Sequence, residues 1–320
     1  MNAFFGYIFG ASNYGENISC VPLSLTAVTI TGGLIIETGA FYECTSLTSI
    51  SIPDSVTSIG NSAFYGCTGF TSMTVPDSVT SMGYGAFKDC SNLNEISIPF
   101  VGVNTESTTV INIGYIFGSN NNDNVPESLT AVTVTNESSI GEYAFAYCDT
   151  LTTVNLNEGI LSIGDLAFSN CSNLASITIP NSVTSVGSSV FRFCTGLTSA
   201  TISENLTYIG EFMFANCTSL TSITIPDGVT VLKQGAFTVC TALISITIPN
   251  SVTSVEIFTF DDCTSLASIY YFGDEASRDL IEIADYNTEL NYATVYYYSE
   301  TEPVESGDYW HYVEGEIAIW

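Results

Sequence analysis

The sequence predicts a solenoid, a stack of similar coils in which each coil buries its apolar face only against its neighbours. Three observations predict it. A cysteine recurs every 23 residues, at Cys44, Cys67 and Cys90 and, after one interruption, at Cys148, Cys171, Cys194, Cys217, Cys240 and Cys263. Each closes the same phrase, seen at Ile59-Gly60-Asn61-Ser62-Ala63-Phe64-Tyr65-Gly66-Cys67. A β-branched alternating run then follows, typified by Leu220-Thr221-Ser222-Ile223-Thr224-Ile225 and stopped by Pro226. A fixed period of roughly 20–50 residues is the mark of repeat architectures, and roughly ten to eleven coils fit this chain.

Residues 1–33 read as part of an enlarged coil, because Gly6-Tyr7-Ile8-Phe9-Gly10 and Leu25-Thr26-Ala27-Val28-Thr29-Ile30-Thr31 repeat a pattern found at 100–139. A solenoid end needs a polar cap. None is visible here, so the chain is expected to open inside a coil, as a fragment does. In the regular coil, strand alternation directs Leu220, Ile223 and Ile225 inward and Ser222 and Thr224 outward. A second short extended piece places Val79 and Met82 inward. The Gly-x-x-Ala-Phe stretch turns the chain, with Phe64 filling the interior and Ala63 small enough for the next coil to approach. Residues 100–139 form one enlarged coil. There Gly114-Tyr115-Ile116-Phe117-Gly118 stands for the turn and Leu129–Thr135 for the strand, around a polar loop at 119–124.

After Phe272-Gly273 the period stops. Residues 277–290 read as a short amphipathic helix with Ser277 as N-cap, and 293–298 as a strand. Tyr309–Val313 and Glu316–Trp320 read as a hairpin about Glu314-Gly315. Twelve of the 33 acidic residues lie in the last fifty. The expected organisation is a solenoid over 1–272 and a C-terminal capping module over 273–320, which covers the last coil and discourages edge pairing.

The cysteine period is first of all a packing period. Cysteine is small, tolerates full burial and carries a weak S–H donor, which suits a position facing backbone groups of the adjacent turn. The nine in-phase cysteines should form an internal thiol ladder. Parallel Cβ vectors hold neighbouring sulfurs apart, so disulfides are not expected. There is no Cys-x-x-Cys and the single histidine, His311, is far off in sequence, so zinc is not expected either. Cys20 is out of phase and is the one candidate for a reactive thiol, although a loop cysteine without a role is the simpler reading.

Four basic residues (Lys88, Arg192, Lys233, Arg278) stand against 33 acidic ones, for a net charge of -29. Nucleic-acid binding needs clustered Lys and Arg, so it is excluded as a function class. An anionic membrane surface should repel the chain. Such charge favours solubility and cationic partners. No apolar run reaches the ~18 residues of a membrane helix, and the N-terminus lacks the charged region and cleavage site of a signal peptide. Catalysis needs a cluster of titratable groups. Asp261-Asp262 and Glu300/Glu302 fall in turns and tail, His311 sits in the capping module, and the 120–124 loop lacks the spaced carboxylates of a calcium site. No cofactor is expected.

The phrase Ile-Pro-x-Ser-Val-Thr-Ser-Ile-Gly-x-x-Ala-Phe-x-x-Cys-x-x-Leu-x-Ser-Ile-x-Ile, carried almost without departure at 52–75, 179–202 and 225–248, closely resembles the BspA-like (Treponema-type) leucine-rich repeat family. The resemblance runs over about 34–272 and extends to repeat proteins of gut Firmicutes. It implies a leucine-rich repeat solenoid, a right-handed stack with a parallel β-sheet on its concave face. It also implies a surface or secreted adhesion protein that binds host or neighbouring-cell proteins, without enzymatic activity or shared catalytic residues.

The outward strand pairs, such as Ser176/Thr178, Ser199/Thr201 and Ser222/Thr224, make a hydroxyl carpet without the aromatic and arginine anchors of binding hot spots. A protein ligand is therefore expected where the period breaks, at Asn121 and Asp123 in the enlarged coil and at Tyr309, Trp310 and Tyr312 in the capping module. Two other classes remain in view: a passive spacer displaying other domains, and an ice- or glycan-binding Ser/Thr face, which requires a flatter array than a rotating solenoid offers.

Overall fold

The structure is a computed structural model that describes residues 5, 11–104, 112–303 and 307–320. It comprises two compact units, Met1–Ile160 and Leu161–Trp320, and each is a β-solenoid with two parallel strands per coil.

In the first unit the longer strands are Ala27–Thr29 and Ser49–Ser51, which pair with each other, and Ser72–Thr74, Glu95–Ile98, Ala131–Val134 and Thr153–Leu156, which form a second parallel ladder. Short strands Ile35–Ile36, Ser58–Ile59 and Ser81–Met82 pair in parallel on another side of the coils. The register moves by one sequence period per coil, as in Ser58↔Ser81. In the second unit Ser176–Thr178 pairs with Ser199–Thr201. Ser222–Thr224, Ser245–Ile248, Ser268–Tyr271, Thr294–Tyr298 and Tyr309–Val313 then follow in parallel, and Glu316–Ile319 closes the ladder antiparallel.

The interior follows the phrase residue by residue. Phe64 is fully buried and stacks on Phe41 at 5.4 Å and Phe87 at 5.2 Å. Phe168, Phe191, Phe214, Phe237 and Phe260 stack likewise at 5.3–5.6 Å. The turns are tied as well, for Phe64 N–H donates to Ala86 O (2.8 Å) and Phe191 N–H to Met213 O (2.8 Å). The phrase Ser-Val-Thr joins coils through hydroxyls. Ser78 Oγ donates to Val56 O (2.8 Å) and Thr80 Oγ1 to Thr57 O (3.3 Å), supplementing the backbone bond from Thr80 N–H. Each Pro-x-x-Val closes a turn, as Val79 N–H to Pro76 O (3.0 Å) shows.

Glycine after the short strand has a steric reason. A Cβ on Gly83 would stand 2.2 Å from Asn61 N and 2.4 Å from Gly60 C, both backbone atoms of the preceding coil. Two positions in each turn adopt the left-handed conformation, one just before the cysteine and one two residues before the phenylalanine. Only some of them are glycine. Before the cysteine stand Glu43, Gly66, Asp89, Tyr147, Asn170, Phe193, Asn216, Val239 and Asp262, all with φ between 54° and 68°.

The enlarged coil is a single coil, since Glu95–Ile98 pairs directly with Ala131–Val134. Ile113–Phe117 is a 3₁₀ helix whose Phe117 is fully buried. Asn122 pins the loop by accepting from Gly114 N–H (2.8 Å) and donating to Ala146 O (2.8 Å). Gly6-Tyr7-Ile8-Phe9-Gly10, predicted to open another enlarged coil, lies outside the described residues. The C-terminal helix is shorter than the sequence predicts. It spans Glu275–Arg278, and its N-cap is Asp274, which shares a capping box with Ser277. Asp274 closes the box because its carboxylate accepts Ser277 N–H (2.8 Å), which makes Ser277 the third helical residue and not the cap. Thr288–Asn291 is a separate 3₁₀ turn, and Thr294–Tyr298 and the 309–319 hairpin extend the sheet of the last coils.

Candidate binding site

The nine in-phase cysteines are buried and unbridged. Cys67 Sγ donates to Phe41 O (3.0 Å), Cys194 to Phe168 O (3.1 Å), Cys217 to Phe191 O (3.2 Å) and Cys240 to Phe214 O (3.1 Å), each reaching back one coil. Burial pushes the thiols of Cys44, Cys90 and Cys194 up to about 12, and those of Cys67, Cys148 and Cys217 up as well. A thiol that stays protonated is a poor nucleophile and metal ligand. Among the described residues no group of three or more His, Cys, Asp or Glu side chains is placed to hold a metal. The ladder carries packing.

The outward face of the second unit carries exposed hydroxyls at Ser176, Thr178, Ser199, Thr201, Ser222 and Thr224. Thr247, the next in the row, is buried (3% exposed). In register with it stands Tyr270, on which Tyr296 stacks at 5.4 Å, so the row of threonines turns into a row of tyrosines. The last strands bring more aromatic surface. Tyr309–Val313 pairs with Thr294–Tyr298 at only two positions, Tyr297↔Tyr309 and Tyr298↔Trp310. Trp310 packs against Tyr270 (5.6 Å), Phe272 (4.8 Å) and Tyr298 (5.1 Å), and its Nε1–H donates to Tyr271 O (3.2 Å). It is fully buried. Trp310 is therefore a core residue that holds the hairpin against the sheet, not the ligand contact the sequence predicts. A buried indole satisfies its N–H and spends its area on packing. Tyr309 is half-buried, and Tyr312, 43% exposed, remains at the surface beside Phe272 (6.1 Å).

Phe272 and Tyr312, with the strand face beside them, line an open groove of about 730 Å³. Its floor is the strand face from Ser199–Ile202 and Ser222–Ile225, Phe272 and Tyr312 wall one end, and Glu204 and Asp227 stand at the rim. The two floor strands belong to separate ladders, and the smaller Ala200 stands where neighbouring coils place Ile177 and Ile223. Burial, the Tyr298 phenol and the Asp227 carboxylate together raise the Tyr312 hydroxyl above its ordinary range. Among the described residues neither Glu204 nor Asp227 meets a lysine or arginine.

Asn121 and Asp123 belong to the first unit. They bond to each other (Asn121 Nδ2 to Asp123 Oδ2, 2.7 Å) on an exposed loop, and neither lines the groove of the second unit. The first unit has its own depression of about 870 Å³ between the coils of Asp54 and Asp77. It has no aromatic wall, and Asp77 already accepts the Thr135 hydroxyl. Phe272 and the pair Glu204/Asp227 are the site residues that sequence reasoning missed. The 23-residue spacing of the two carboxylates was the available signal, since it puts them at the same place on adjacent coils.

Coils with a parallel strand on one side, a short strand on another and an interior of stacked phenylalanines define a repeat scaffold of the leucine-rich kind. The chain belongs to the BspA type leucine rich repeat family, whose model matches residues 20–119, 119–244 and 232–278 in six copies. That repeat family is generally non-enzymatic. No curated protein matches the chain. Among solved structures, it is similar to a leucine rich cell surface protein from Faecalibacterium prausnitzii, at 25% identity over 81% of this chain and 90% of that one, with a TM-score of 0.35. A leucine-rich repeat protein from Bacteroides ovatus is 26% identical, with 85% of this chain and 63% of that one covered and a TM-score of 0.45. One from Eubacterium ventriosum is 19% identical, with 86% of each chain covered and a TM-score of 0.47. Among the described residues no helix is long and apolar enough to cross a membrane.

Proposed function

We propose that the chain is a non-catalytic binding module of a surface or secreted protein, and that it holds a protein ligand in the groove of its second unit. The observation that carries this reading is the juxtaposition of an aromatic wall, half-buried Phe272 and exposed Tyr312, with a floor of exposed strand hydroxyls. Aromatic side chains at the edge of a concave surface supply large contact area at low entropic cost, and such anchors dominate protein recognition. Membership of the repeat family and the similarity to a bacterial cell surface protein support the same reading. The regular coils supply position, since their thiols and the hydroxyls of their Ser-Val-Thr phrases bond back to the preceding coil.

The test is a binding screen of the whole chain against purified extracellular-matrix and cell-surface proteins. A ligand found there should be weakened about tenfold or more by Tyr312→Ala, the loss expected of an aromatic anchor. It should be unaffected by Tyr292→Ala, which removes a tyrosine 85% exposed elsewhere in the same unit. No ligand at all, or equal loss in the two variants, refutes the assignment and leaves a passive spacer.

A further inference from the structure

We infer that the occupant of this groove is an extended, lysine- or arginine-bearing segment of the partner protein. The inference rests on the binding reading above and names the chemistry of its ligand. Glu204 and Asp227 come from adjacent coils and stand on the same side of the groove, both exposed. Asp227 and Tyr312 line the same groove. A carboxylate beside an aromatic ring is the pairing that receives an ammonium or guanidinium group, through charge on one side and the ring quadrupole on the other. Hydroxyls of Ser222 and Thr224 on the floor offer hydrogen bonds to the backbone of an extended chain. The volume of about 730 Å³ suits a few residues of peptide and not a folded surface.

Among the described residues no lysine or arginine lines the groove. Each of its four basic side chains is engaged elsewhere. Lys88 lies over the Tyr65 ring (5.8 Å), Arg192 over Phe193 (4.9 Å) and Phe212 (5.7 Å), Lys233 over Tyr208 (4.0 Å), and Arg278 meets Asp279 (3.6 Å). A second copy would bring another net charge of -29 to an acidic rim. Anionic ligands meet the same repulsion. A basic segment of another protein is the occupant whose charge complements the site.

The experiment uses the full chain and three acetylated decapeptides alternating glycine with lysine, serine or glutamate, titrated calorimetrically at 50 and 150 mM salt. The lysine peptide should bind and the other two should not. Its affinity should fall tenfold or more in Glu204→Gln/Asp227→Asn and in Tyr312→Ala. Attraction to the overall charge is controlled by Asp54→Asn/Asp77→Asn, which removes the same two charges from the depression in the first unit and should change affinity less than twofold. Equal losses in the two double variants, or binding of the serine or glutamate peptide as tight as that of the lysine peptide, overturns the inference. The broader reading is judged separately. A protein ligand that is lost with Tyr312→Ala but kept by Glu204→Gln/Asp227→Asn leaves the groove as a binding site and removes only the cationic occupant.

Discussion

Raising the pH should unfold this protein through its cysteine ladder. The thiols of Cys44, Cys90 and Cys194 are held up to about 12 by burial, against 9.0 for the unperturbed group. A group whose pKa is raised by folding contributes stability that is fully present below the unfolded pKa and lost as the pH climbs toward the folded one. The window therefore opens near pH 9 and runs to about pH 12. At pH 10 an unfolded thiol is mostly ionised and a folded one is not, which shifts the balance by about 1.4 kcal/mol per thiol. Three such thiols remove about 4 kcal/mol, and burial raises Cys67, Cys148 and Cys217 in the same direction. That is a large part of the stability of a typical domain, about 5–15 kcal/mol. Urea unfolding followed by circular dichroism from pH 7 to 11 should show a stability plateau to pH 8 and then a steep fall. Thiolate absorbance should rise together with loss of the fold. Cys90→Ala/Cys194→Ala should be less stable at pH 7, yet fall less steeply with pH. A midpoint constant to pH 10.5, or more than one equivalent of thiolate near pH 9 in the folded protein, Cys20 lying outside the buried ladder, would refute the reasoning.

Three further outcomes follow from named atoms. Gly83→Ala should cost several kcal/mol or prevent folding, because its Cβ meets backbone at 2.2 Å, while Gly32→Ala, with nothing within 4 Å, should stay within about 0.5 kcal/mol in thermal melts. Tyr147→Asn should raise stability by about 0.5–1 kcal/mol in the same assay, since Tyr147 is left-handed (φ 63°) and 66% exposed, and asparagine accepts that conformation more readily. Trp310→Ala should cost about 3–5 kcal/mol in urea titration, the loss expected of a fully buried indole.

Much of the coil was legible because stacking makes one residue answer for all its equivalents. The inward places of Leu220, Ile223 and Ile225, the outward places of Ser222 and Thr224 and the enlarged coil between Glu95 and Ala131 follow from period and alternation alone. The left-handed turn positions were not legible. Val239 and Phe193 are poor residues for that conformation, and hydrogen bonds from adjacent coils impose it against local preference, as Val239 N–H to Asp261 O (2.8 Å) illustrates. The end of the helix at Arg278 was misjudged for a similar reason: Glu282–Ile283 is drawn out as a short parallel strand beside Ser254–Val255. The groove itself depends on where the terminal hairpin lies, and no local pattern in residues 309–320 reports that Trp310 reaches back to Tyr271.

The same economy explains why a site forms only where the period fails. In a regular coil nearly every distinctive residue is committed to its neighbours. The cysteine donates to the phenylalanine carbonyl of the previous coil, as Cys217 does to Phe191, Ser78 and Thr80 bond back to the preceding coil, and the phenylalanines stack. What reaches the outward face is small and polar, and repeating it gives extent without an anchor. An anchor needs a large side chain at an outward position, and in the regular coils serine and threonine hold those positions. Tyr270 is the first outward position of the second unit to break the rule, and the strands after it must change to accommodate it: Tyr296 stacks on it, Trp310 closes over it, and Tyr312 is left at the surface facing the last free threonines. The aromatic end is thus at once the device that terminates the hydroxyl rows and the wall that gives them a groove, so a variant that loosens Trp310 should lose ligand and stability together, whereas one at Tyr312 should lose ligand alone.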